Sequence, residues 1–262
     1  MQAILFDLDG VFYVADQLIG GAIETLHWCD ENHIPYLFIT NTTSKPPQAI
    51  VEKLSGFGIE TQVSKIISPP VAAVDWLRQR GMQRISLYMG EQTQSVFSGF
   101  QRVTSAEEPT EAVIVGDMGE GWSFDVMNRA FRQLMQEPPP CLIALGMTRY
   151  WRAPEGLRLD AGAYVTALQY ASGIEPIVLG KPAQAFFDAA AQRLARHPDE
   201  VLMIGDDIKG DIDGAQQAGI PALLVRTGKF RPADLDGPIQ PYAVIDSIAD
   251  LPGWWSAKHK NG

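Results

Sequence analysis

The chain has 262 residues, which is enough for one large domain or two modest ones. Its apolar content of 46% and its charged content of 20% are typical of a soluble globular protein. The 21 Lys and Arg residues against 31 Asp and Glu residues give a net charge of −10, which argues against a nucleic-acid or anionic-membrane partner. The same charge repels phosphorylated molecules, so a phosphate site in this chain needs local positive charge or a metal ion.

We expect neither a membrane-spanning segment nor a secretion signal. No apolar run approaches the roughly 20 residues that span a bilayer, and the first predicted strand follows Met1 and Gln2 without room for a signal peptide. Cys29 and Cys141 have no CxxC spacing, so we expect two reduced thiols. These features predict a cytoplasmic protein.

Short β-rich apolar runs alternate along the chain with longer segments of helical period. The predicted strands span residues 3–8, 35–40, 85–90, 112–117, 141–146, 176–180, 201–205 and 222–226. The predicted helices lie near residues 21–32, 46–56, 69–80, 92–99, 123–136, 162–172, 184–195 and 210–218. This alternation predicts an α/β fold made of βαβ units with mostly parallel sheets.

The end of the first predicted strand is the strongest functional signal in the chain. An apolar run over residues 3–6 leads directly into Asp7 and Asp9, and Gly10 follows. Residues two apart point to the same face of a strand, so alternation places the two carboxylates side by side. Such a pair repels unless a proton or a cation lies between them. Because ligands of α/β folds gather at the carboxyl ends of parallel strands, this segment indicates an active site. The alternative is a polar exit into a turn.

The second predicted strand ends in Thr40 and Asn41, which begin a run of hydroxyl and amide side chains that reaches Ser44. Backbone N–H groups and a Thr hydroxyl at a strand end can hold phosphoryl oxygens. A helix cap before Pro46 and Pro47 explains the run equally well. Both interpretations hold if Thr40 and Asn41 bind a ligand while Ser44 caps the helix.

Two later predicted strands also end in charged residues. Lys181 follows the sixth strand, where it is either solvated or a cation that holds a phosphate beside the paired carboxylates. Asp206, Asp207 and Asp211 follow the seventh strand, and clustered carboxylates are the hard oxygen ligands that Mg²⁺ prefers. Alternatively, Asp207, Asp211 and Asp213 are acidic residues that complement a helix N-terminus, and for Asp213 we favour this interpretation.

These chemical groups lie near residues 1–41 and 176–211. The middle of the chain has strands of its own but no comparable cluster. We therefore predict a catalytic core of residues 1–80 and 177–262, interrupted by an inserted smaller domain of residues 81–176.

Four motifs, each at a predicted strand end, resemble in type and order those of the haloacid-dehalogenase-like phosphatase superfamily: Asp7-Leu8-Asp9-Gly10, Thr40, Gly180-Lys181-Pro182 and Gly205-Asp206-x4-Asp211. The resemblance covers essentially the whole chain. It implies a Rossmann-like core with a doubly wound parallel sheet. The insert is similar to the α/β cap of the type IIA branch of this superfamily.

Within that branch, three segments are similar to those of the phospholysine phosphohistidine inorganic pyrophosphate phosphatases: Arg149-Tyr150, Leu159-Asp160-Ala161-Gly162 and 226–232. Some of those relatives have Ser where this chain has Asp9, whereas general phosphomonoesterases of the branch keep Asp. The resemblance therefore implies hydrolysis of small phosphorylated metabolites, with phospholysine, phosphohistidine or inorganic pyrophosphate as the alternative. Rival functions of the same motifs are a phosphotransferase, a metal-independent dehalogenase and a receiver-like phospho-acceptor.

The resemblance also implies a chemical role for each acidic motif residue. Asp7 is expected to be the nucleophile that forms an aspartyl-phosphate, and Asp9 the acid and base that serves the leaving group and the attacking water. Mg²⁺ is expected as the cofactor, bound by the Asp7 carboxylate, the backbone carbonyl of Asp9 and the Asp206 carboxylate. Asp211 is expected to orient Lys181 or a metal-bound water rather than to bind the metal directly.

Substrate contacts are expected from both predicted domains. The resemblance implies that Lys181 has a catalytic role and also binds the phosphoryl group together with Thr40 and Asn41. In the insert, Arg149 beside two aromatic residues can contact an anionic or planar leaving group. The alternative for this segment is an amphipathic cap surface or a contact between caps in a homodimer.

Overall fold

The computed structural model describes residues 1–153 and 155–259. In chain order, the strands are β1 (Ala3–Asp7), β2 (Tyr13–Val14), β3 (Gln17–Leu18), β4 (Tyr36–Ile39), β5 (Ile66–Ile67), β6 (Arg84–Tyr88), β7 (Gln101–Arg102), β8 (Ala112–Val115), β9 (Cys141–Ala144), β10 (Tyr150–Ala153), β11 (Gly156–Leu159), β12 (Ile177–Val178), β13 (Val201–Gly205), β14 (Ala222–Val225) and β15 (Ala243–Ile245).

The α-helices are α1 (Ala22–Glu31), α2 (Pro47–Gly56), α3 (Pro69–Gln79), α4 (Glu91–Gln94), α5 (Phe124–Leu134), α6 (Ala161–Ser172), α7 (Gln184–Arg193), α8 (Gly214–Gln217) and α9 (Leu251–His259). A π-helix, Ile208–Asp213, leads directly into α8. Within the described residues, every helix is too short or too polar to span a bilayer.

The backbone divides into two compact units. The first contains Met1–Thr40, Gln48–Ile67 and the residues from Lys181 onward. The second contains Asn41–Pro47 and Ser68–Gly180, so it interrupts the first unit in sequence.

A six-stranded sheet in the order β15-β14-β13-β1-β4-β5 forms the centre of the first unit, and its neighbouring strands pair in parallel. All five residues of β1 are buried. Such a continuous apolar run is typical of a parallel strand that is covered on both faces. The carboxyl ends of β13, β1 and β4 therefore lie next to one another at one edge of this sheet.

Aromatic side chains pack in the core beside β1. The ring of Phe6 contacts that of Phe12 edge to face, with 5.2 Å between ring centroids. Phe12 contacts Phe38 of β4 in the same way at 5.3 Å. This packing fixes β1 against its neighbour β4, immediately before the polar residues that follow both strands.

The second unit contains a five-stranded parallel sheet in the order β12-β9-β8-β6-β7. A separate antiparallel hairpin joins β10 to β11. Helix α5 begins after Ser123, whose hydroxyl caps the helix by accepting a hydrogen bond from the N–H of Val126. Helix α6 begins after Asp160, whose carboxylate accepts from the N–H of Ala161.

The predicted α/β class with parallel sheets is confirmed, and each predicted strand overlaps an observed strand. The boundaries of the units differ from the predicted ones, because α3 and β12 belong to the second unit. Strand β12 pairs with β9 rather than with a strand of the first sheet. Strand β1 ends at Asp7, one residue earlier than predicted.

Candidate active site

Three buried carboxylates meet at the carboxyl edge of the six-stranded sheet. Asp7 ends β1, and Asp206 follows β13, the strand that pairs with β1 through Phe6 and Ile204. Asp211 comes from the π-helix five residues later. One carboxylate oxygen from each of these aspartates lies within 4.8 Å of the others. The parallel pairing of two strands far apart in sequence thus creates the acidic cluster.

Lys181 lies between two of these carboxylates. Its Nζ donates hydrogen bonds to Oδ1 of Asp7 at 2.6 Å and to Oδ1 of Asp211 at 2.7 Å. The other oxygen of Asp211 accepts from the backbone N–H groups of Asp206 and Asp207 at 3.2 and 3.1 Å. Asp211 therefore uses both oxygens to hold Lys181 and the start of the π-helix in place.

Only one of the two carboxylate oxygens of Asp206 accepts a hydrogen bond. Its Oδ2 accepts a hydrogen bond from the backbone N–H of Lys229 at 2.6 Å. Its Oδ1 is buried and has no hydrogen-bond partner. An unsatisfied buried carboxylate oxygen is costly, and a cation at that oxygen removes the cost. The atoms that could bind a metal are all carboxylate oxygens, and Mg²⁺ prefers oxygen ligands. These residues therefore fit a magnesium ion.

The pKa values and the formal charge of the cluster also indicate a site for a cation. Burial raises the pKa of Asp7 to about 7, although Lys181 opposes the shift. Burial likewise raises the pKa of Asp206 to about 6, against the effect of the Lys229 N–H. Burial lowers the pKa of Lys181, but the carboxylates of Asp211 and Asp7 outweigh burial and raise it, so the lysine stays charged. Three carboxylates and one ammonium have a formal charge of −2 when all are ionised, and a divalent cation balances this charge.

Asp9 lies outside the buried cluster. Its side chain is exposed, whereas that of Asp7 is buried. The expectation that strand alternation extends to Asp9 was wrong, because β1 ends at Asp7 and Gly10 turns the chain with a φ of +86°. The N–H of Gly10 bonds to the carbonyl oxygen of Tyr13 at 2.7 Å and closes this turn.

Thr40 occupies the predicted position at the sheet edge. It follows β4, in which Ile39 pairs with Asp7, and it is buried. Its N–H donates to the carbonyl of Ile67 at 3.0 Å, so its backbone continues the sheet beyond the strand. Thr40 therefore lies at the same edge as the carboxylates.

Asn41 and Arg149 belong to the second unit, and both side chains are exposed. The guanidinium of Arg149 lies over the ring of Tyr150, with its carbon 5.7 Å from the ring centroid. The roles of Asn41 and Arg149 in binding substrate stay predictions.

Comparison with known sequences places the chain in a family. Residues 4–101 match the family described as haloacid dehalogenase-like hydrolase, and residues 178–251 match the one described as HAD-hydrolase-like. The chain is 36% identical over 255 residues to phospholysine phosphohistidine inorganic pyrophosphate phosphatase of Rattus norvegicus. The aligned region covers 95% of this chain and 92% of that protein. The chain belongs to the haloacid-dehalogenase-like hydrolase family. The predicted superfamily is therefore confirmed, and the chain is a phosphatase of this family.

Two further comparisons agree with this assignment. The chain is also 35% identical over 236 residues to haloacid dehalogenase-like hydrolase domain-containing protein 2 of Bos taurus. The aligned region covers 90% of this chain and 88% of that protein. The structure of this chain is similar to that of 4-nitrophenylphosphatase from Thermotoga maritima, with a TM-score of 0.83, 25% sequence identity and coverage of 97% of each chain.

Two residues of the segment 226–232 contact the site, although the sequence analysis noted that segment only for its resemblance and gave these residues no role in the site. The hydroxyl of Thr227 donates to the carbonyl oxygen of Gly10, and the N–H of Lys229 donates to Asp206. Both follow β14, the strand that pairs with β13. The signal was their place directly after a predicted strand, which is where the other site residues also lie.

The second unit has a cavity of about 520 Å³ beside its hairpin. This volume lies within the range of small-molecule pockets. Arg158 in this region forms ion pairs with Glu120 at 3.2 Å and with Glu155 at 3.0 Å. The side chains that line the cavity are those of Asp117, Glu120, Trp151, Arg158, Leu159 and Tyr164.

Proposed function

We propose that this chain is a Mg²⁺-dependent phosphatase that hydrolyses small phosphorylated metabolites through an aspartyl-phosphate on Asp7. The observation that supports this most directly is the buried cluster in which Lys181 bridges Asp7 and Asp211 while Asp206 keeps one bare oxygen. A nucleophile, a fixed cation and a set of metal ligands are thereby held within one site. Phosphoryl transfer needs little beyond such positioning and charge neutralisation.

The carboxylates of Asp7 and Asp206, together with the backbone carbonyl of Asp9, would hold the metal ion. Mg²⁺ at this position neutralises negative charge on the carboxylates and on the phosphoryl oxygens. Its place is supported by the bare oxygen of Asp206 and by the raised pKa values of Asp7 and Asp206. Lys181 adds a second, fixed positive charge that orients the Asp7 carboxylate.

The reaction proceeds in two displacements at phosphorus. A carboxylate oxygen of Asp7 attacks the phosphorus, the bond from phosphorus to the leaving-group oxygen breaks, and Asp9 protonates that oxygen. Water then attacks the phosphorus of the aspartyl-phosphate and gives a proton to Asp9. The bond between phosphorus and the Asp7 oxygen breaks, which releases phosphate and restores the carboxylate. Thr40 and Asn41 hold the equatorial phosphoryl oxygens during both steps.

The leaving group is proposed to be recognised by the second unit, which acts as a cap domain on the catalytic unit. Its exposed Arg149 next to Tyr150 suits an anionic or planar group. We also propose a cytoplasmic location, no nucleic-acid or membrane partner, and a homodimer that forms through the cap. The net charge of −10 supports the exclusion of polyanionic partners.

Phospholysine, phosphohistidine and inorganic pyrophosphate are the alternative substrates. The name of the rat relative, at 36% identity, supports this candidate. A phosphotransferase is separated from both hydrolases by the acceptor, because its phosphoryl group appears on an added alcohol rather than as free phosphate.

The test is phosphate release from a broad panel of phosphorylated metabolites, with p-nitrophenyl phosphate as reference and the three alternative substrates included. Each reaction is run with Mg²⁺, with Ca²⁺ and with EDTA. We expect turnover with Mg²⁺, none with EDTA and little with Ca²⁺, because Ca²⁺ is larger and takes more ligands. Full activity in EDTA would contradict the metal site. Preference for phosphoramidates or pyrophosphate over esters would favour the alternative substrates.

A further inference from the structure

The loop after β14 touches the acidic site at two points. The hydroxyl of Thr227 donates a hydrogen bond to the carbonyl oxygen of Gly10, 217 residues earlier in the chain. The backbone N–H of Lys229 donates to Oδ2 of Asp206 at 2.6 Å. We call residues 227–229 the clip, because they connect the turn after β1 to the carboxylate after β13.

Gly228, in the middle of the clip, packs directly against the same two groups. A Cβ atom at this position would overlap Oδ2 of Asp206 and lie 2.5 Å from the Cα of Gly10. Its φ of +61° also favours glycine. Gly10 is constrained in the same way, because a Cβ there would overlap the Asp206 carboxylate. The carboxylate is therefore enclosed by two backbone segments that leave no space for side chains.

The clip determines which oxygen of Asp206 is available. Oδ2 is occupied by the N–H of Lys229, whereas Oδ1 is buried without a partner. Rotation of the carboxylate would break the 2.6 Å hydrogen bond to the N–H of Lys229. Oδ1 is consequently held in one orientation before any ligand arrives.

The clip also fixes the turn that contains the backbone carbonyl of Asp9. That carbonyl shares a peptide plane with the N–H of Gly10, which bonds to Tyr13 at 2.7 Å. The next peptide plane contains the Gly10 carbonyl, which accepts from Thr227. Both peptide planes at Gly10 are thereby held by hydrogen bonds, the second of them by the clip.

We propose that the clip is a positioning element for the divalent cation, in which Thr227 holds the Asp9–Gly10 turn and the Lys229 N–H orients the Asp206 carboxylate. This inference rests on the proposed metal dependence. Partners that orient metal-binding groups typically contribute 10-fold to 100-fold in metal affinity. The clip thus raises Mg²⁺ affinity although none of its atoms is a metal ligand.

The first experiment measures Mg²⁺ binding by titration calorimetry, and the Mg²⁺-induced rise in Tm, for Thr227→Val, Thr227→Ser and the wild type. We expect Thr227→Val to weaken Mg²⁺ binding by about tenfold, and Thr227→Ser to restore most of the affinity because it keeps the hydroxyl. The matched control is Thr25→Val, which removes a buried hydroxyl-to-carbonyl hydrogen bond of 3.0 Å to Ile248. The control should bind Mg²⁺ as the wild type does.

A glycine pair provides a second, independent comparison. Gly228→Ala and Gly219→Ala place the same methyl group at φ values of +61° and +76°. At Gly219, however, the nearest neighbour of that methyl group is Cβ of Pro198 at 3.8 Å, so only the backbone is strained. We expect Gly228→Ala to lose at least tenfold in Mg²⁺ affinity and Gly219→Ala to keep it.

The outcomes separate this inference from the proposed function. If the wild type binds no Mg²⁺, the proposed metal dependence fails. If the wild type binds Mg²⁺ and both clip variants bind it equally well, only the role of the clip is overturned. Circular dichroism and urea unfolding in EDTA verify folding, and if Thr227→Val does not fold, the glycine pair decides. If both clip variants are unfolded while both controls fold, the clip serves the fold and the inference is overturned.

Discussion

The acidic site of the first unit and the β10–β11 hairpin of the second unit are built in opposite ways. In the acidic site, the side chains of Asp7, Lys181 and Asp211 are at most 8% exposed and are joined by hydrogen bonds shorter than 2.8 Å. In the hairpin, Tyr150 is 50% exposed and Leu157 is 65% exposed. One region keeps charges away from water, and the other presents apolar surface to it.

This difference separates two tasks of a phosphatase. Charges that are fixed in a buried site stabilise a transition state without reorganisation of the site. The same fixed charges serve every phosphate ester, because the phosphoryl group is the same in each of them. An exposed surface with aromatic side chains and an adjacent cavity can change its sequence without disturbing the fold, so it suits a leaving group that varies among substrates. We therefore expect substitutions in the acidic site to abolish turnover, and substitutions on the hairpin to alter substrate preference.

The largest effect is expected for Asp7→Asn. The amide lacks the nucleophilic oxygen, so kcat should fall by about a thousandfold or more, which corresponds to about 4 kcal/mol of barrier. The measurement is phosphate release under Mg²⁺ saturation, with circular dichroism to verify the fold. The matched control is Asp213→Asn, in the same π-helix as Asp211 but outside the cluster, which should keep wild-type activity. Activity of Asp7→Asn within about tenfold of wild type would refute the role of Asp7 as nucleophile.

A smaller effect is expected in the pH dependence of stability without metal. Burial raises the pKa of Asp7 from 3.8 to about 7, so between these values the folded protein holds a proton that the unfolded chain has lost. The free energy of unfolding in EDTA therefore falls as pH rises through this window, by at most about 1.4 kcal/mol per pH unit for one proton. Mg²⁺ binds the deprotonated carboxylates, so its stabilising effect should be larger at pH 8 than at pH 5.

The measurement for this prediction is urea unfolding in EDTA over pH 4 to 8 for the wild type and Asp7→Asn. Titration of groups outside the cluster cancels in the comparison of the two proteins. We expect a shallower decline of stability with pH in Asp7→Asn. If the free energy of unfolding declines with pH equally in both proteins, burial does not raise the pKa of Asp7. The claim that the acidic site holds its charges in a buried environment would then be contradicted.

The smallest effect is expected on the hairpin side of the comparison. Arg149→Ala should lower kcat/KM for the natural substrate by roughly threefold to tenfold, about the worth of one exposed cation–π or ionic contact, with a smaller effect on p-nitrophenyl phosphate. The matched control is Arg102→Ala, an exposed arginine on strand β7 of the same unit. Negligible effects of Arg149→Ala on a panel of phosphate esters would assign Arg149 a structural role.

The sequence was sufficient to find the acidic residues, because Asp7 and Asp206 directly follow apolar runs that read as strands. The parallel α/β pattern places both residues at the carboxyl ends of strands, and the observed pairing of β1 with β13 brings them together. Two features followed from tertiary structure alone. The short strand β12 could join either sheet, and its hydrogen bonds to β9 decide its place. The contact of Thr227 with Gly10 joins residues 217 positions apart, and local pattern contains no trace of it.

The hairpin was missed for a different reason. Strand β10 is Tyr-Trp-Arg-Ala and has three exposed residues, so it lacks the alternation that marks a half-buried strand. Strand β11 has alternating burial, but it is only four residues long. Periodicity therefore predicts buried elements well, and it misses a segment whose side chains face solvent. The segment that periodicity misses is the β10–β11 hairpin, which belongs to the unit that we propose recognises the leaving group.

The most direct test of the account is to trap the phosphorylated enzyme. The wild type and Asp9→Asn are mixed with p-nitrophenyl phosphate and Mg²⁺, quenched in acid within the first turnover, and mapped by peptide mass spectrometry. Because p-nitrophenolate leaves without protonation, Asp9→Asn should still be phosphorylated but should lose the base that activates water, so the intermediate should accumulate. We predict one phosphoryl group on Asp7 and a stoichiometric burst of p-nitrophenol. Turnover in both proteins with no phosphoryl group on Asp7, or with one on another residue, would contradict the account.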